Sequence, residues 1–337
     1  GGSRYFFQGT RSLLQAPAQF YQHSETQTLN VIPRDGADTS PHIIAPTSPR
    51  AFAFIGESQQ ALVRNIRLIG LEICYSDAVN TIGGYQEDGG ECISPEEDGI
   101  IYLQNAEDIT VNACHIHHTG IHGIFAEGWV QGCDFSNNHM HDIGFTGILL
   151  GGEWHSSLAM NGHHRIHNNY IHNAGTLIGQ GAGVQAIQSG HNQITHNRIH
   201  TTSRYAISLK GPHPHYIMYK LIDEVYIREH NKWHFVQTRH NNIAFNDVSN
   251  ANIDSQDTGV IEAWGVYGEG NRVHNNLVHD SLIYFSFGLG LYFDDMVSFF
   301  EVTKNTFYNL QHQKTDGILW SVFYIKGIGN RFINNII

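Results

Sequence analysis

A phrase of the form apolar-x-x-Asn-x-apolar-His recurs through this chain, and no other feature restricts its fold as much. Phe135 to His141 reads FSNNHMH, Ile166 to His172 reads IHNNYIH, Ile194 to His200 reads ITHNRIH and Val273 to His279 reads VHNNLVH. Val302 to Tyr308 and Phe332 to Ile337 keep the pattern without the histidine. The aligned asparagines are Asn138, Asn169, Asn197, Asn246, Asn276, Asn305 and Asn335, separated by 31, 28, 49, 30, 29 and 30 residues. Cys114 takes the same slot 24 residues before Asn138. Self-similarity at such a period marks stacked supersecondary units. Each copy holds two short alternating apolar segments punctuated by Gly and Asn, which is strand and turn chemistry. No copy carries a long run of period 3.6, which disfavours helical solenoids. The sequence therefore predicts an all-β chain, a right-handed parallel β-helix of about eight to ten coils. Neighbouring strands should lie about 4.8 Å apart.

In that fold the recurrent residues take defined places. Ile116, Met140, Ile171, Ile199, Val248 and Val278 should stack inside as an apolar ladder. The asparagines should sit at turns, where the amide bonds nearby backbone and Asn tolerates left-handed φ. Gly123, Gly147, Gly183, Gly259, Gly290 and Gly317, with Ala206 in the remaining copy, form a second column. That column reads as a turn that needs φ > 0.

Composition narrows the partners. The chain has 337 residues, 15% of them charged, with 19 basic against 31 acidic residues and a formal charge of −12. Nucleic acid and anionic membrane call for basic patches, so neither is an expected partner. No apolar run approaches the roughly 20 residues that a membrane helix needs. The composition fits an extracellular β protein, secreted or periplasmic. The chain opens Gly-Gly-Ser without a leader, as a trimmed mature chain would. The spacing of Cys74, Cys92, Cys114 and Cys133 matches no zinc template. Buried free thiols are expected, with a Cys74–Cys92 bridge as the alternative if the protein is secreted.

Along the chain, residues 1–50 lack the repeat and read as a small N-terminal β subdomain or cap. Residues 51–337 read as the solenoid, interrupted by an inserted loop at 210–239. The sequence stops in mid-coil at Asn335-Ile336-Ile337. An open solenoid end exposes strand edges and core. The expectation is that native segments continue past the ends or that another chain covers this one.

Chemistry is sought on the outward face. Counting two and four residues after each column glycine gives Phe125 and Glu127, Leu149 and Gly151, Gln185 and Ile187, and Ser208 and Lys210. The next coils give Ile261 and Ala263, then Tyr292 and Asp294. Trp129, Trp154, Trp264 and Tyr267 lie around this wall. Rings that stack on sugar faces beside carboxylates for acid/base work suggest a saccharide site; single surface aromatics and acids, however, are ordinary. The sharpest motifs are Asp257-Thr258-Gly259 and Tyr292-Phe293-Asp294-Asp295. Two carboxyls flanking a glycosidic bond are the general machinery of its hydrolysis. The bland alternatives are a turn-capping Asp257 and a calcium or turn site at Asp294-Asp295.

With these residues in hand, the chain resembles the β-helix glycosidases of glycoside hydrolase family 141. The resemblance runs from Arg4-Tyr5-Phe6-Phe7 and the stretch Leu13 to Tyr21 through Thr28 to Pro33 and Val63-Arg64-Asn65-Ile66. It continues in Gly147 to Gly152, Asp257-Thr258-Gly259 with Trp264-Gly265, and Gly290 to Asp295. It implies an additional segment upstream of Gly1. It implies a catalytic pair of aspartates from neighbouring coils, matched here by Asp257 and by Asp294 or Asp295. The implied activities are removal of α-L-fucose from pectic side chains or cleavage of xylan. Glu262 stands where relatives carry a small or hydroxyl residue, and parity points it inward. By register Asp257 and Asp294 are about 20 Å apart on a straight strand, so the pair requires a sharp bend at the glycine column. Failing that, Glu262 pairs with Asp294, provided that a bulge turns Glu262 outward. Lys210, His213, Trp154, Trp264, Tyr292 and Gln185 are the expected sugar-binding residues.

Two other functions compete. A polysaccharide lyase or uronate epimerase would use Lys210 as base and Arg204 or Arg239 to neutralise the uronate. A tailspike-like or adhesive β-helix would bind glycan without chemistry, since fold does not fix function. No cofactor is implied. Of the 24 histidines, His117, His141, His172, His200 and His279 share one slot, one per coil. A single column does not gather several imidazoles round one ion, so it reads as structural, with no metal site. His213 and His215 lie outside the repeat, on the insertion.

Overall fold

The repeat folds as coils of three short strands, because alternating apolar residues bury one face of each strand while Asn- and Gly-bearing corners turn the chain. The computed structural model describes residues 9–23, 25–33, 43–78, 98–213, 217–255, 257–267, 269–283, 287–312 and 319–337. The chain divides into two compact units, Gly1–Ala45 and Pro46–Ile337. In the first, Phe20–His23 pairs antiparallel with Thr28–Val31.

The second unit is built of three parallel sheets. One, here the wall sheet, includes His122–Gln131, Ile148–Gly151, Val184–Ile187, Ile207–Lys210, Thr258–Trp264, Phe287–Phe293 and Leu319–Ile325. A second runs from Arg67–Ile69 to Arg331–Ile333 with nine strands, one per coil. The third, here the histidine sheet, runs from Glu72–Cys74 to Thr306–His312 with eight. The apolar ladder is as read: Ile116, Met140, Ile171, Ile199, Val248 and Val278 are in lateral register and fully buried. No helix among the described residues is long and apolar enough to cross a membrane.

The asparagines stack in one column, and the hydrogen bonds say why. Each Oδ1 accepts the backbone N–H of the ladder residue one coil earlier, at 2.9–3.0 Å from Cys114 to Asn335. Each Nδ2 from Asn138 to Asn305 donates to the next asparagine and to a carbonyl of the preceding coil, as Asn197 does to Asn246 and Ile166. The left-handed residue is not the ladder asparagine but its predecessor: Asn137, Asn168, His196, Phe245, Asn275, Lys304 and Asn334 have φ of 53–60°. A second ladder, five residues earlier in each coil, links Cys133, His164, Asn192, Asn241 and Asn271 in the same way.

The glycine column needs two corrections. Gly123, Gly147, Gly183 and Gly290 do not have positive φ; they are small because the backbones touch. A Cβ on Gly147 would lie 2.5 Å from the Gly183 carbonyl oxygen and 2.9 Å from Ile171 Cγ2. Gly259 is not in the column at all. Ile261 pairs with Ile207 and Leu291, so Val260 stands beside Ala206 and Gly290. Leu291 pairs with Phe323, which puts Val322 in the next slot; Gly317 lies outside the described residues. A one-residue slip moves every side chain to the other face. Ile261 and Ala263 therefore lie in the core, and Glu262 and Trp264 face outward, with no bulge needed.

Cys74, Cys114 and Cys133 are free thiols. Cys92 lies outside the described residues, and with it the bridge to Cys74.

The insertion carries its own small core of Ile217, Ile222, Ile227 and Phe235, and a two-stranded ribbon. It is moored to the solenoid by Gln188, whose amide donates to the Phe235 carbonyl at 2.7 Å and accepts the Gln237 N–H at 2.8 Å. Asp223 accepts the Ser157 N–H at 2.6 Å and both serine hydroxyls of Ser156-Ser157. The loop that carries Trp154 is thus tied to the insertion.

Candidate active site

Two outward columns line the wall sheet. The first reads Phe125, Leu149, Gln185, Ser208, Glu262, Tyr292 and Tyr324; the second reads Glu127, Gly151, Ile187, Lys210, Trp264 and, past the strand ends, Asp294 and Lys326. The early coils are apolar here: Tyr102, Phe125, Leu149 and Ile187 form a buried cluster against which Trp154 packs. Ionisable groups gather in the later coils.

Asp257 precedes the strand Thr258–Trp264 with a left-handed φ of 56°, and its side chain is at the surface. The chain bends sharply there, since a Cβ on Gly259 would lie 2.6 Å from Tyr292 Cβ. The bend required by the sequence argument therefore exists, and the straight-strand separation does not apply. Tyr292 donates from its hydroxyl to Asp257 Oδ1 at 2.9 Å. Asp294 stands near enough to the same hydroxyl to act on its pKa. Burial, then the negative charges of Asp294 and Asp257, push the Tyr292 hydroxyl far above the usual phenol range.

Lys326 closes the cluster. Its Nζ lies 2.5 Å from Asp294 Oδ1 and 3.1 Å from Asp295 Oδ1. Burial opposes its charge, but the hydrogen bonds and charges of the two carboxylates win and hold its pKa well above the ordinary lysine value. Asp294 is the more enclosed carboxylate, its side chain 14% exposed against 49% for Asp295. The Asp257 carboxylate accepts from Tyr292, and its backbone carbonyl accepts Arg204 Nη2 at 3.1 Å.

Lys210 and Glu262 form a separate unit. Lys210 Nζ lies 2.7 Å from Glu262 Oε1, with side chains only 4% and 2% exposed. Ser208 donates to Glu262 Oε2 at 2.7 Å, and Lys210 reaches Tyr205 Oη at 3.2 Å. Such a pair, buried and hydrogen-bonded on both sides, is costly to break from one side. Glu262 faces outward but is committed to this pair, and Lys210 is not an available amine.

The aromatic residues predicted from sequence do come together. Trp154 and Trp264 stack in parallel at 6.2 Å, and His213 stacks on Trp264 at 5.4 Å. Trp154 Nε1 is buried with no hydrogen-bond partner among the described residues. Gln185 is 5% exposed, between Leu149 and Ser208 in the column. Arg239 is elsewhere, its guanidinium holding the carbonyls of Trp233 and Val236. Arg204 lies at the site, stacked over Tyr205 at 4.6 Å. His215 lies outside the described residues. Sequence reasoning missed Lys326, Tyr205 and Tyr324, and Tyr292 as the link between the carboxylates.

Three comparisons bear on the fold. A family model described as right handed beta helix region matches residues 98–265. Among solved structures, one titled a glycoside hydrolase superposes with a TM-score of 0.69 at 18% identity, over 97% of this chain and 57% of its own. This chain thus spans little more than half the length of that neighbour. A complex of XylC with xylose gives a TM-score of 0.49 at 15% identity, over 80% and 41% of the two chains. An alginate lyase from Paenibacillus sp. gives 0.40 at 14%, over 85% and 87%. A search of curated proteins finds no match. The solenoid is a right-handed parallel β-helix, as the sequence predicts.

Proposed function

We propose that this chain is a carbohydrate-active enzyme that hydrolyses a glycosidic bond with Asp257 and Asp294 as the catalytic pair. One observation carries the reading: Tyr292 bridges two carboxylates from adjacent coils at an outward corner of the wall. A phenol has one proton to donate. Tyr292 gives it to Asp257 Oδ1 at 2.9 Å. Lys326 sits on Asp294, its Nζ 2.5 Å from Oδ1. We therefore assign Asp294, held by Lys326, as the nucleophile or base and the exposed Asp257 as the general acid. Two carboxyls in different surroundings are what acid/base division of labour requires.

The motif resemblance favours the retaining route, for which carboxyls stand about 5–5.5 Å apart. In that route Asp294 attacks the anomeric carbon as Asp257 protonates the leaving oxygen, and Asp257 then activates the water that releases the sugar. Trp154, Trp264 and His213 supply a stacking surface. Asp295 helps to hold Lys326, and Glu262 with Lys210 supports the wall. Lys210, locked to Glu262, is a poor lyase base, which weighs against the lyase reading. The motif resemblance suggests α-L-fucosides of pectic side chains or xylan as substrates, met outside the cytoplasm.

A glycan panel with reducing-end detection tests the proposal. New reducing ends should appear without the ultraviolet absorbance of an unsaturated uronate, and the anomeric configuration should be retained by NMR. Asp257→Asn and Asp294→Asn should each lower kcat about 10²–10⁴-fold, the usual scale of acid/base catalysis. Undiminished hydrolysis in both variants sinks the assignment, and an unsaturated product sinks the hydrolase.

A further inference from the structure

The histidine sheet presents an arrangement that the repeat alone does not explain. Ile116 and Met140 point into the core, so by the period of two their neighbours His115 and His117, and His139 and His141, share the outward face. His139 pairs laterally with His115 and His141 with His117. The column visible in the sequence holds one imidazole per coil. The strands add a second column beside it, and four rings meet on two adjacent coils. Three of them form a near-equilateral triangle: ring centroids are 4.9 Å apart for His115 and His139, 5.0 Å for His115 and His141, and 4.8 Å for His139 and His141. One nitrogen from each lies within 4.8 Å of the other two.

We propose that His115, His139 and His141 bind a divalent borderline metal ion of the zinc class. Zn–N bonds of about 2.0–2.1 Å in a tetrahedral site separate ligand nitrogens by roughly 3.4 Å. The His115 and His141 Nε2 atoms are now 2.8 Å apart and the three nitrogens lie within 4.8 Å of one another, so small side-chain adjustments lead toward that geometry. An i, i+2 pair on one strand with a third ligand on the next holds the rings on rigid backbone, which sheet sites do better than loops. Imidazole is a preferred ligand of zinc, copper and nickel, and three of them leave a fourth position for water.

The surroundings are those of a metal centre. His141 Nδ1 lies 2.8 Å from Asp142 Oδ2, which fixes the tautomer that leaves Nε2 free to coordinate. Asn173 holds the other oxygen of Asp142 at 3.0 Å. Glu72 lies 3.1 Å from His117 Nε2 and 3.8 Å from His115 Nδ1, a second carboxylate to offset the charge of the ion. His115 is 41% exposed, so an ion can enter from solvent. On binding, the 3.0 Å contact of His139 Nε2 with His172 gives way to coordination. The site is on a different sheet from Asp257 and Asp294.

The test uses the tag-free chain, dialysed against chelator and titrated at pH 7.5 with Zn²⁺ alone by calorimetry and with Co²⁺ alone by visible absorbance. The expected result is one equivalent of saturable Zn²⁺ and the d–d bands of four-coordinate Co²⁺. His141→Asn and, separately, His115→Gln should abolish both. Asp142→Asn should weaken Zn²⁺ about 10–100-fold, the effect of removing an outer carboxylate. His279→Asn, on the same sheet but several coils away, should change nothing. Circular dichroism shows that each variant is folded. No binding, or stoichiometric binding that survives both His115→Gln and His141→Asn, overturns the site. Hydrolysis need not change with any of these substitutions, so this proposal and the assignment of the catalytic pair fail separately.

Discussion

The asparagine ladder and the outer wall ride on the same coils, yet they obey opposite rules. Along the ladder the residue hardly changes, and one hydrogen bond recurs at 2.9–3.0 Å from Cys114 to Asn335. Along the wall one register column changes at every step: Phe125, Leu149, Gln185, Ser208, Glu262, Tyr292. The backbone is equally regular under both. The difference lies in what each position must satisfy. A buried turn leaves backbone N–H groups without strand partners, and an inward amide is a repeatable answer. An outward position has no such debt, so its side chains are free to differ and to become a site. Repetition holds the solenoid together, and its breaks carry chemistry.

The hardest way to break this contrast is to remove one rung. Asn197→Ala strands the Asn169 N–H and the Ile166 carbonyl, both buried. At about 1–3 kcal/mol for each unsatisfied buried group, the loss of stability should be about 2–6 kcal/mol, measured by denaturant unfolding. A cost under about 1 kcal/mol would mean that the ladder is ornament. The wall contains one place where it too should cost stability. Lys210→Met leaves the enclosed Glu262 without its cationic partner, which should cost about 3–5 kcal/mol. Lys210→Met with Glu262→Leu should recover most of that loss, because replacing a whole buried pair with apolar residues is often neutral. A double variant no more stable than the single one would show that the pair supports the wall in some other way.

The ladder was legible because residue type and spacing repeat together. The apolar column, the histidine column and the parallel β-helix all followed from that signal. The second ladder was equally present: His164, Asn192, Asn241 and Asn271 each stand five residues before a ladder asparagine, but their flanking residues vary. The wall was legible only as far as its register. Gly259 imitates the column glycines, although Val260 holds that slot, and this single slip points Glu262 inward and Ile261 and Ala263 outward when residues are counted from it. Lys326 follows the last full copy of the repeat and carries no motif of its own. That Tyr292 joins Asp257 to Asp294 depends on a backbone bend, which residue counting along a strand does not contain.

The smallest expected effect is a change of slope with pH, and it comes from the one column where repetition and variation meet. His200 and His279 occupy the same slot, in lateral register through Ser249. Burial and then the Arg198 charge lower the pKa of His200. Burial also acts against the charged form of His279, but Asp280 and Asp247, each 2.7 Å away, outweigh it and raise its pKa. His172, one coil before His200, is pushed down to about 4 by burial and by its neighbouring imidazoles. A histidine with a raised folded pKa stabilises fully below about 6.5, its unfolded value, and loses that contribution as pH rises through the folded value. A lowered one leaves stability intact above about 6.5 and removes it as pH falls toward the folded value. The stability lost in His279→Asn should therefore grow from pH 8 to pH 6. The stability difference made by His200→Asn should shift in favour of the variant from pH 6.5 downward. Chelator in every sample keeps metal binding out of the comparison. Thermal unfolding of the three proteins across that range gives the two slopes, and slopes of the same sign would show that the slot, not its carboxylate or cationic neighbours, sets the titration.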